Sequence, residues 1–375
     1  MENACLTFVT PTLLAGDRSL ASVVAHEISH SWTGNLITNA TWNHFWLNEG
    51  WTTFFERKIM AKINNDPRFF DFDAIGGRKD LTDEVAHMPA EMTTLVLDIK
   101  DQDPDDSYSI VAYEKGFALL HALERRVGIA EFESFFQAYV SHFASRTLTS
   151  DDFKEFFLNY FKGSDKIRGF DWDAWFYQPG MPPELPELDQ SMAKACQDLA
   201  RRWIESDRDN RSLSSANEIE GWSSPQITCF LDAILVASSS KPFKRSTVQN
   251  LNSIYHFSES RNAEILFRYC MLAIPSEDAD ILPVATRFIT TQGRMKFVRP
   301  LYRALHQSKM GRQLAVDTFL SNKEFYHPIA TKMIASDLKV SGIAEASSTF
   351  RNSLVWVGAA LSVATIAVVV LRKRR

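Results

Sequence analysis

A five-residue pattern near the start of the sequence, His26-Glu27-Ile28-Ser29-His30, carries residue types that could bind a metal ion. The mostly apolar residues 21–28 predict a buried helix, on which two residues four positions apart share one face. Two imidazoles stacked one turn apart can bind the same zinc ion, at about 2.0–2.1 Å each. Glu27 would then reach past the metal toward a bound water molecule.

A third zinc ligand is predicted at Glu49, within the segment Trp46-Leu47-Asn48-Glu49-Gly50-Trp51. Eighteen residues separate His30 from Glu49, so the first helix can end at Gly34 and a second can begin near Glu49. Three protein ligands leave a fourth position for water, which is typical of a catalytic zinc site. Zinc lowers the pKa of that water, and Glu27 can accept its proton and later deliver it to a leaving amine.

Glu56, seven residues after Glu49, has two interpretations. Its carboxylate could orient a zinc ligand through a hydrogen bond, or it could be an ordinary surface group. A lone histidine is usually a core residue with its hydrogen bonds satisfied, but the combined spacing of His26, His30 and Glu49 favours one bound zinc ion.

The elements that must position these residues fall into two predicted domains. Apolar residues at helical spacing predict helices over residues 20–32, 51–63, 117–127 and 153–161, and residues 5–14 read as a strand. Residues 178–186 hold four prolines and one glycine, which indicates a boundary. We therefore expect a catalytic domain over 1–180, a linker over 181–190 and a layered all-α domain over 191–346, within a mainly α-helical fold.

The last apolar segment, residues 353–371, contains 19 residues without a charge. As a helix it would be about 28 Å long, which is close to the hydrocarbon thickness of a bilayer. A buried helix is the alternative, but buried helices seldom run this long without a polar face. The sequence thus predicts a single C-terminal transmembrane helix, a basic tail over 372–375, and a membrane-anchored protein whose catalytic domain is cytosolic. The positive-inside tendency leaves export of that domain as the alternative orientation.

Charge argues against one class of protein, and cysteine content indicates the redox compartment. The chain has 41 basic and 46 acidic residues, and the last four residues are all basic, so the rest is acidic. A nucleic-acid-binding protein would present a basic face instead, so we expect no nucleic-acid partner. Four cysteines far apart in the sequence, without metal-binding spacing, indicate a reducing compartment.

At these motifs the sequence resembles the gluzincin aminopeptidases, and most closely the branch of leukotriene A(4) hydrolase and its aminopeptidase relatives. The resemblance rests on A-H-E-I-S-H-S-W-T-G-N-L, H-F-W-L-N-E-G, Y-E-K-G-F-A-L-L and G-R-M-K-F, and extends from residue 1 to roughly residue 340. It implies a thermolysin-like zinc peptidase catalytic domain followed by a helical C-terminal domain. It also implies zinc as the cofactor and peptides with a free N-terminus as substrates.

The resemblance also implies roles for individual residues. His26, His30 and Glu49 match the zinc ligands, and Glu27 matches the general base. Tyr113 matches the tyrosine that donates to the developing oxyanion. The remaining matches concern substrate binding: Glu2 for the substrate's α-amino group, Tyr108 as a second active-site tyrosine, Asp105 for an epoxide reaction, and Arg294 with Lys296 for a substrate carboxylate.

Three functions remain open at this point. The first is a zinc aminopeptidase, and the second is an epoxide hydrolase that acts on a fatty-acid-derived epoxide. The third is an inactive membrane-anchored binding protein on the same fold. The family's motif begins with glycines before the methionine and follows a β-rich domain, whereas this sequence begins at the methionine. For the chain as given we therefore expect weak aminopeptidase activity or none.

Overall fold

The computed structural model describes residues 1–100, 103, 108–213 and 217–340. The described chain forms two compact units, one over Met1–Ile281 and one that begins at Leu282. The predicted domain boundaries at residues 180 and 190 stay predictions.

The first unit is built almost entirely from helices. They are α1 (Ala21–Ser29), α2 (Trp46–Ile63), α3 (Arg68–Val85), α4 (Ile110–Val127), α5 (Ile129–Phe143), α6 (Ser150–Tyr160), α7 (Trp172–Tyr177), α8 (Ser191–Asp209), α9 (Ser224–Ser238), α10 (Arg245–Tyr255) and α11 (Ala263–Ala273). The predicted mainly α-helical character therefore agrees with the structure. Helix α1 ends before Gly34, and α2 begins three residues earlier than Glu49.

Helices α2 and α4 form the centre of the first unit, and α1 packs on α2. Both central helices are buried over most of their length, so their side chains are apolar or aromatic on more than one face. Trp51 is fully buried and stacks against aromatic rings of α5, including Phe132 and Tyr139. This aromatic core holds α2 in place, and α2 carries Glu49 in its first turn.

Two short strands pair in parallel, β1 (Ile37–Asn39) with β2 (Arg146–Leu148). The strand predicted over residues 5–14 is wrong. Cys5 has a φ of +59°, which breaks an extended run. Thr10 then caps a short 3₁₀ turn at Pro11–Leu13, so the backbone bends where a strand would have continued.

The second unit contains helices α12 (Ile281–Thr291, which begins at the division), α13 (Met295–Gln307), α14 (Arg312–Asn322) and α15 (Pro328–Leu338). Helix α13 packs on both α14 and α15, and Leu301 and Ile334 are fully buried. Arg299 of α13 donates to Asp337 of α15 through Nε at 2.8 Å and Nη2 at 3.1 Å. Arg303 Nη1 of α13 also lies 3.9 Å from Asp337 Oδ1, so apolar packing and ion pairs join these helices.

The transmembrane part of the predicted fold is corrected. Across the described ranges, no helix combines the length and the apolar character needed to cross a membrane. The longest of these helices, α8, carries charged residues along its whole length, which a bilayer interior would exclude. Residues 353–371 and the basic tail lie outside the described residues. The predicted membrane localisation, with a cytosolic catalytic domain, depended on that helix and is withdrawn with it.

Candidate metal centre

Helix α1 brings two imidazole nitrogens together at the edge of the core. His26 lies within the helix and His30 follows its last residue, so both rings lie on one face. The two Nε2 atoms are 3.1 Å apart, and the rings meet edge to face with centroids 4.7 Å apart. His30 is buried, whereas His26 is partly open to solvent.

Glu49, in the first turn of α2, completes a three-atom cluster. Its Oε2 atom lies 3.3 Å from His26 Nε2 and 3.5 Å from His30 Nε2. This oxygen is buried and accepts no hydrogen bond, which is unusual for a buried carboxylate. The three ligand atoms all lie within 4.8 Å of one another.

These distances fit a zinc ion. Two ligand atoms that each lie about 2.0–2.1 Å from one tetrahedral zinc are about 3.3–3.4 Å apart. The three measured separations bracket that value, and two nitrogens with one carboxylate oxygen are a common donor set for zinc. A buried oxygen without a hydrogen-bond donor is also what a cation would satisfy.

The other ring nitrogens have fixed partners. His26 Nδ1 lies 3.0 Å from Glu56 Oε2, so Glu56 contacts a predicted zinc ligand. His30 Nδ1 lies 3.0 Å from the Thr33 carbonyl oxygen and 3.1 Å from Thr52 Oγ1. When each Nδ1 donates to its oxygen partner, each Nε2 keeps its lone pair for a metal.

The electrostatics of His26 reflect the same carboxylates. Burial alone would lower the pKa of His26, but the neighbouring carboxylates of Glu49 and Glu56 raise it to about 10. In the absence of a metal, the cluster therefore attracts a positive charge to the ring. A zinc ion supplies that charge instead and requires the neutral imidazole.

Glu27 points toward the N-terminal residues of the chain. Its Oε1 lies 2.8 Å from the α-amino nitrogen of Met1, which also donates to the Phe8 carbonyl oxygen at 3.2 Å. The Glu27 side chain is only 15% exposed. The predicted role of Glu27 as general base stays a prediction.

Glu2 borders the cluster on its other side. Asn48 Nδ2 donates to Glu2 Oε1 at 3.0 Å, and Glu2 Oε2 lies 3.0 Å from His30 Nε2. Burial by itself would raise the pKa of Glu2, but the hydrogen bonds with His30 and Asn48 outweigh it and lower that pKa. Glu2 is therefore held as a carboxylate beside the predicted zinc ligands.

Tyr113, in the first turn of α4, faces the same cluster. Its ring lies nearly parallel to that of His26, with centroids 6.1 Å apart, and its phenol donates to Tyr108 Oη at 3.1 Å. Burial, the Glu49 carboxylate and the contact with Tyr108 raise the pKa of Tyr113. The phenol therefore keeps its proton and remains a hydrogen-bond donor.

An open cleft of about 770 Å³ adjoins this group of residues. Glu2 and Asn48 line it at the metal centre, and residues 38–43 with Lys100 line the rest. Its mixed polar and apolar lining suits a short peptide better than a flat apolar ligand.

The structure does not describe three of the predicted substrate-binding residues beside the metal centre. Asp105 lies outside the described residues. Arg294 and Lys296 lie in the second unit, next to the start of α13, where both cationic groups approach the Phe297 ring, at 5.4 and 5.6 Å. Their predicted roles stay predictions.

Comparison with known proteins agrees with this geometry. A family model described as the peptidase family M1 domain matches residues 1–175. A second model, described as the C-terminal region of leukotriene A4 hydrolase, matches residues 222–338. The native leukotriene A4 hydrolase of Saccharomyces cerevisiae superposes with a TM-score of 0.84 at 38% identity, covering 91% of this chain and 57% of that one.

The chain contains a peptidase M1 domain over residues 1–175. Leukotriene A-4 hydrolase of Xenopus laevis is 43% identical over 345 residues, covering 91% of this chain and 56% of that relative. Leucine aminopeptidase 2 of Neurospora crassa is 41% identical over 355 residues, covering 92% of this chain and 52% of that relative. The M1 chain therefore spans about half the length of these relatives. The predicted family is confirmed, and membership of this family implies that zinc is the cofactor.

Sequence reasoning missed several residues of this M1 centre. Asn48 positions Glu2, while Thr33 and Thr52 contact the ring of His30. Asn48 directly precedes Glu49 in the sequence, and this adjacency was the only sequence signal that could have pointed to Asn48. Thr33 and Thr52 come from different parts of the chain, and only the packing of α1 on α2 brings them together.

Proposed function

We propose that this chain carries the catalytic centre of a zinc aminopeptidase, which releases N-terminal residues from peptides. The observation that supports this most directly is the convergence of His26 Nε2, His30 Nε2 and Glu49 Oε2, with that buried oxygen lacking a hydrogen bond. One zinc ion would be held by these three atoms. When bound, it would polarise the scissile carbonyl and lower the pKa of a water molecule.

The chain's own residues would then divide the remaining work. Glu27 would take a proton from the attacking water and pass it to the leaving amine. Its place next to His26 in sequence, with a side chain that is only 15% exposed, supports this role. Glu56 would keep His26 oriented through their 3.0 Å contact.

Tyr113 would stabilise the carbonyl oxygen as it gains negative charge. Its phenol stays protonated because burial and Glu49 raise its pKa, so it can donate to that oxygen. Tyr108, 3.1 Å away, would hold the phenol in place. A donor that strengthens its bond only as charge develops acts on kcat rather than on substrate binding.

Charged side chains would contribute to substrate selection. Glu2 remains charged and borders the metal centre, so it is suited to accept the free α-amino group of a substrate. Arg294 and Lys296 would bind a substrate carboxylate, as the family resemblance implies. We further propose that residues 1–180 form the catalytic domain and 191–346 the helical domain.

The two alternative functions have weaker support. One relative carries the name leukotriene A-4 hydrolase, but the residue implied for epoxide chemistry, Asp105, lies outside the described residues. An inactive binding protein would need no intact zinc cluster, yet His26, His30 and Glu49 converge, and Glu27 follows His26 directly in sequence.

The proposal is tested with the purified chain and leucine p-nitroanilide as the substrate. We expect weak but measurable zinc-dependent release of p-nitroaniline, which a chelator abolishes and added zinc restores. Glu27→Gln should keep zinc and lose turnover, while Glu91→Gln, at an exposed carboxylate, serves as the matched control. Zinc-loaded protein that folds but releases no product would contradict the proposed function and favour the binding protein.

A further inference from the structure

Helices α2 and α4 come into backbone contact beside the metal centre. A Cβ atom added to Gly50 would lie 2.8 Å from Gly116 Cα and 2.9 Å from the Gly116 carbonyl carbon. A Cβ atom added to Gly116 would lie 2.9 Å from Gly50 Cα and 3.2 Å from Trp46 Cβ. Real Cβ atoms essentially never lie within 3.0 Å of another such atom, so a side chain at either position requires the backbones to shift apart.

Each glycine sits close to a residue of the predicted site. Gly50 directly follows Glu49 on α2, and Gly116 lies three residues after Tyr113, on the same side of α4. The Tyr113 and His26 ring centroids are 6.1 Å apart, and His26 Nε2 lies 3.3 Å from Glu49 Oε2, so Tyr113 and Glu49 border the same cluster. The spacing of the two helices at the glycines therefore governs the distance between Tyr113 and the predicted zinc ligand Glu49.

We propose that Gly50 and Gly116 are positioning residues, whose backbone contact sets the distance between Tyr113 and Glu49. This inference rests on the proposed function, since it assigns the contact a role in the same reaction. A methyl group at Gly116 meets backbone and Cβ atoms, which cannot rotate away as the end of a side chain could. In a close-packed core the helices would have to separate by roughly 0.5–1 Å.

The proposal makes a selective prediction, because the three zinc ligands lie on α1 and α2 whereas Tyr113 lies on α4. Moving α4 away should withdraw the phenol and leave the zinc cluster intact. A misplacement of about 1 Å in a catalytic group costs on the order of a hundredfold in rate. Gly116→Ala should therefore lower kcat about 30- to 100-fold, with KM and zinc affinity each changed less than about threefold.

Two control variants separate this effect from lost stability. Gly76→Ala adds the same methyl group at an exposed position of helix α3, where nothing lies within 4 Å, and should keep full kcat. Ile234→Ala makes a cavity in α9, remote in sequence from the site, and should lower the melting temperature without lowering kcat. If kcat falls by a comparable factor in Ile234→Ala, lost stability would explain the Gly116→Ala result, and the proposal would be overturned.

The decisive test is the combination of Gly116→Ala with Tyr113→Phe. If Gly116 acts through the phenol, Gly116→Ala should cost almost nothing further in a chain that lacks the hydroxyl. An equal loss of kcat in both backgrounds, or a fall in zinc affinity parallel to kcat, would overturn the proposal. Gly50→Ala introduces the methyl group from the other helix as a second variant, and failure of both variants to fold would also reject the specific role.

A measurement independent of activity separates this inference from the proposed function. With 3-fluorotyrosine incorporated, the ¹⁹F resonance assigned to Tyr113 should shift in Gly116→Ala and stay in place in Gly76→Ala. If zinc-loaded wild-type protein releases no product, the proposed function fails, while this shift still reports the helix spacing. An unshifted Tyr113 resonance in folded Gly116→Ala would overturn the inference even in an active enzyme.

Discussion

Two buried clusters in the first unit each bring three acceptor atoms toward one point. They differ in the source of the cation that the acceptors bind. At the first cluster, His26 Nε2, His30 Nε2 and Glu49 Oε2 converge, and the oxygen accepts no hydrogen bond. At the second, the fully buried Lys115 Nζ donates to three backbone carbonyl oxygens: Thr93 at 3.0 Å, Gln178 at 2.7 Å and Gly180 at 2.9 Å.

The difference shows how a buried acceptor cluster distinguishes a structural site from a functional one. Where the chain supplies the cation itself, the acceptors are satisfied and the cluster joins segments that are distant in sequence. Where the chain supplies none, the acceptors favour a cation from solution. Lys115 lies only two residues from Tyr113, so the two kinds of cluster meet on one helix.

The largest expected effect breaks the first cluster without touching the second. Glu49→Gln removes the negative charge from the three-atom cluster, so zinc affinity should fall by much more than a hundredfold, since even outer partners of zinc ligands contribute about 10–100-fold. Competition with a chromophoric chelator measures this affinity. Lys115→Met should leave zinc affinity within a few-fold of wild type, and an equal loss in both variants would contradict the comparison.

The next effect concerns the hydroxyl that borders the first cluster. Tyr113→Phe keeps the ring stacked on His26 and removes only the donor, so kcat should fall about a hundredfold or more with KM little changed. Steady-state kinetics on zinc-loaded protein measure both constants. Tyr177→Phe, at a half-exposed tyrosine, is the control, and undiminished kcat in Tyr113→Phe would remove Tyr113 from the proposed mechanism.

A third prediction tests the cluster in which the chain supplies the cation. Lys115→Met leaves three buried carbonyl oxygens without their donor, so the free energy of unfolding should fall by about 3 kcal/mol. Urea denaturation gives this value. Lys79→Met, at an exposed lysine paired with Asp83, should change it by less than about 1 kcal/mol. If both lysines gave the same small change, the second cluster would not be structural.

The smallest expected effect comes from a buried ring nitrogen that has no hydrogen-bond partner. His121 Nδ1 is buried without a hydrogen bond, and burial together with the nearby Arg125 lowers the pKa of His121 to about 4. An unfolded chain binds this proton near pH 6.5, so stability present above that pH is lost as the pH falls toward about 4.

The measurement for His121 compares unfolding free energies at pH 7 and pH 5. Wild-type protein should lose about 2 kcal/mol from this group between the two values, and His121→Leu should not. His87→Leu, at an exposed histidine, should retain the wild-type difference. A wild-type difference that persists in His121→Leu would show that His121 does not titrate as its burial requires.

The sequence was sufficient to predict the zinc-ligand candidates, because their spacing along the chain is typical of a zinc site. His26, His30 and Glu49 lie in two short motifs, and helical periodicity places the two histidines on one face. Lys115 lies in a motif as well, but its three carbonyl partners are 22 to 65 residues away, so only the folded chain reveals its role.

Other features could not be predicted because several local signals competed. The β-branched and aromatic residues at 5–14 favour a strand, yet a positive φ at Cys5 and the turn at Pro11–Leu13 bend the segment. The contact between Gly50 and Gly116 depends on how α2 crosses α4, which neither local sequence contains. Local periodicity thus predicted the helices, and tertiary packing decided how they meet.

The central claim is that His26, His30 and Glu49 bind one zinc ion. Anomalous diffraction at the zinc absorption edge, from crystals of the zinc-loaded chain, tests it most directly. The account predicts one zinc peak about 2.0–2.2 Å from His26 Nε2, His30 Nε2 and a Glu49 carboxylate oxygen. A structure of the folded, zinc-treated protein with no peak at that point, or with zinc held by other residues, would contradict the claim.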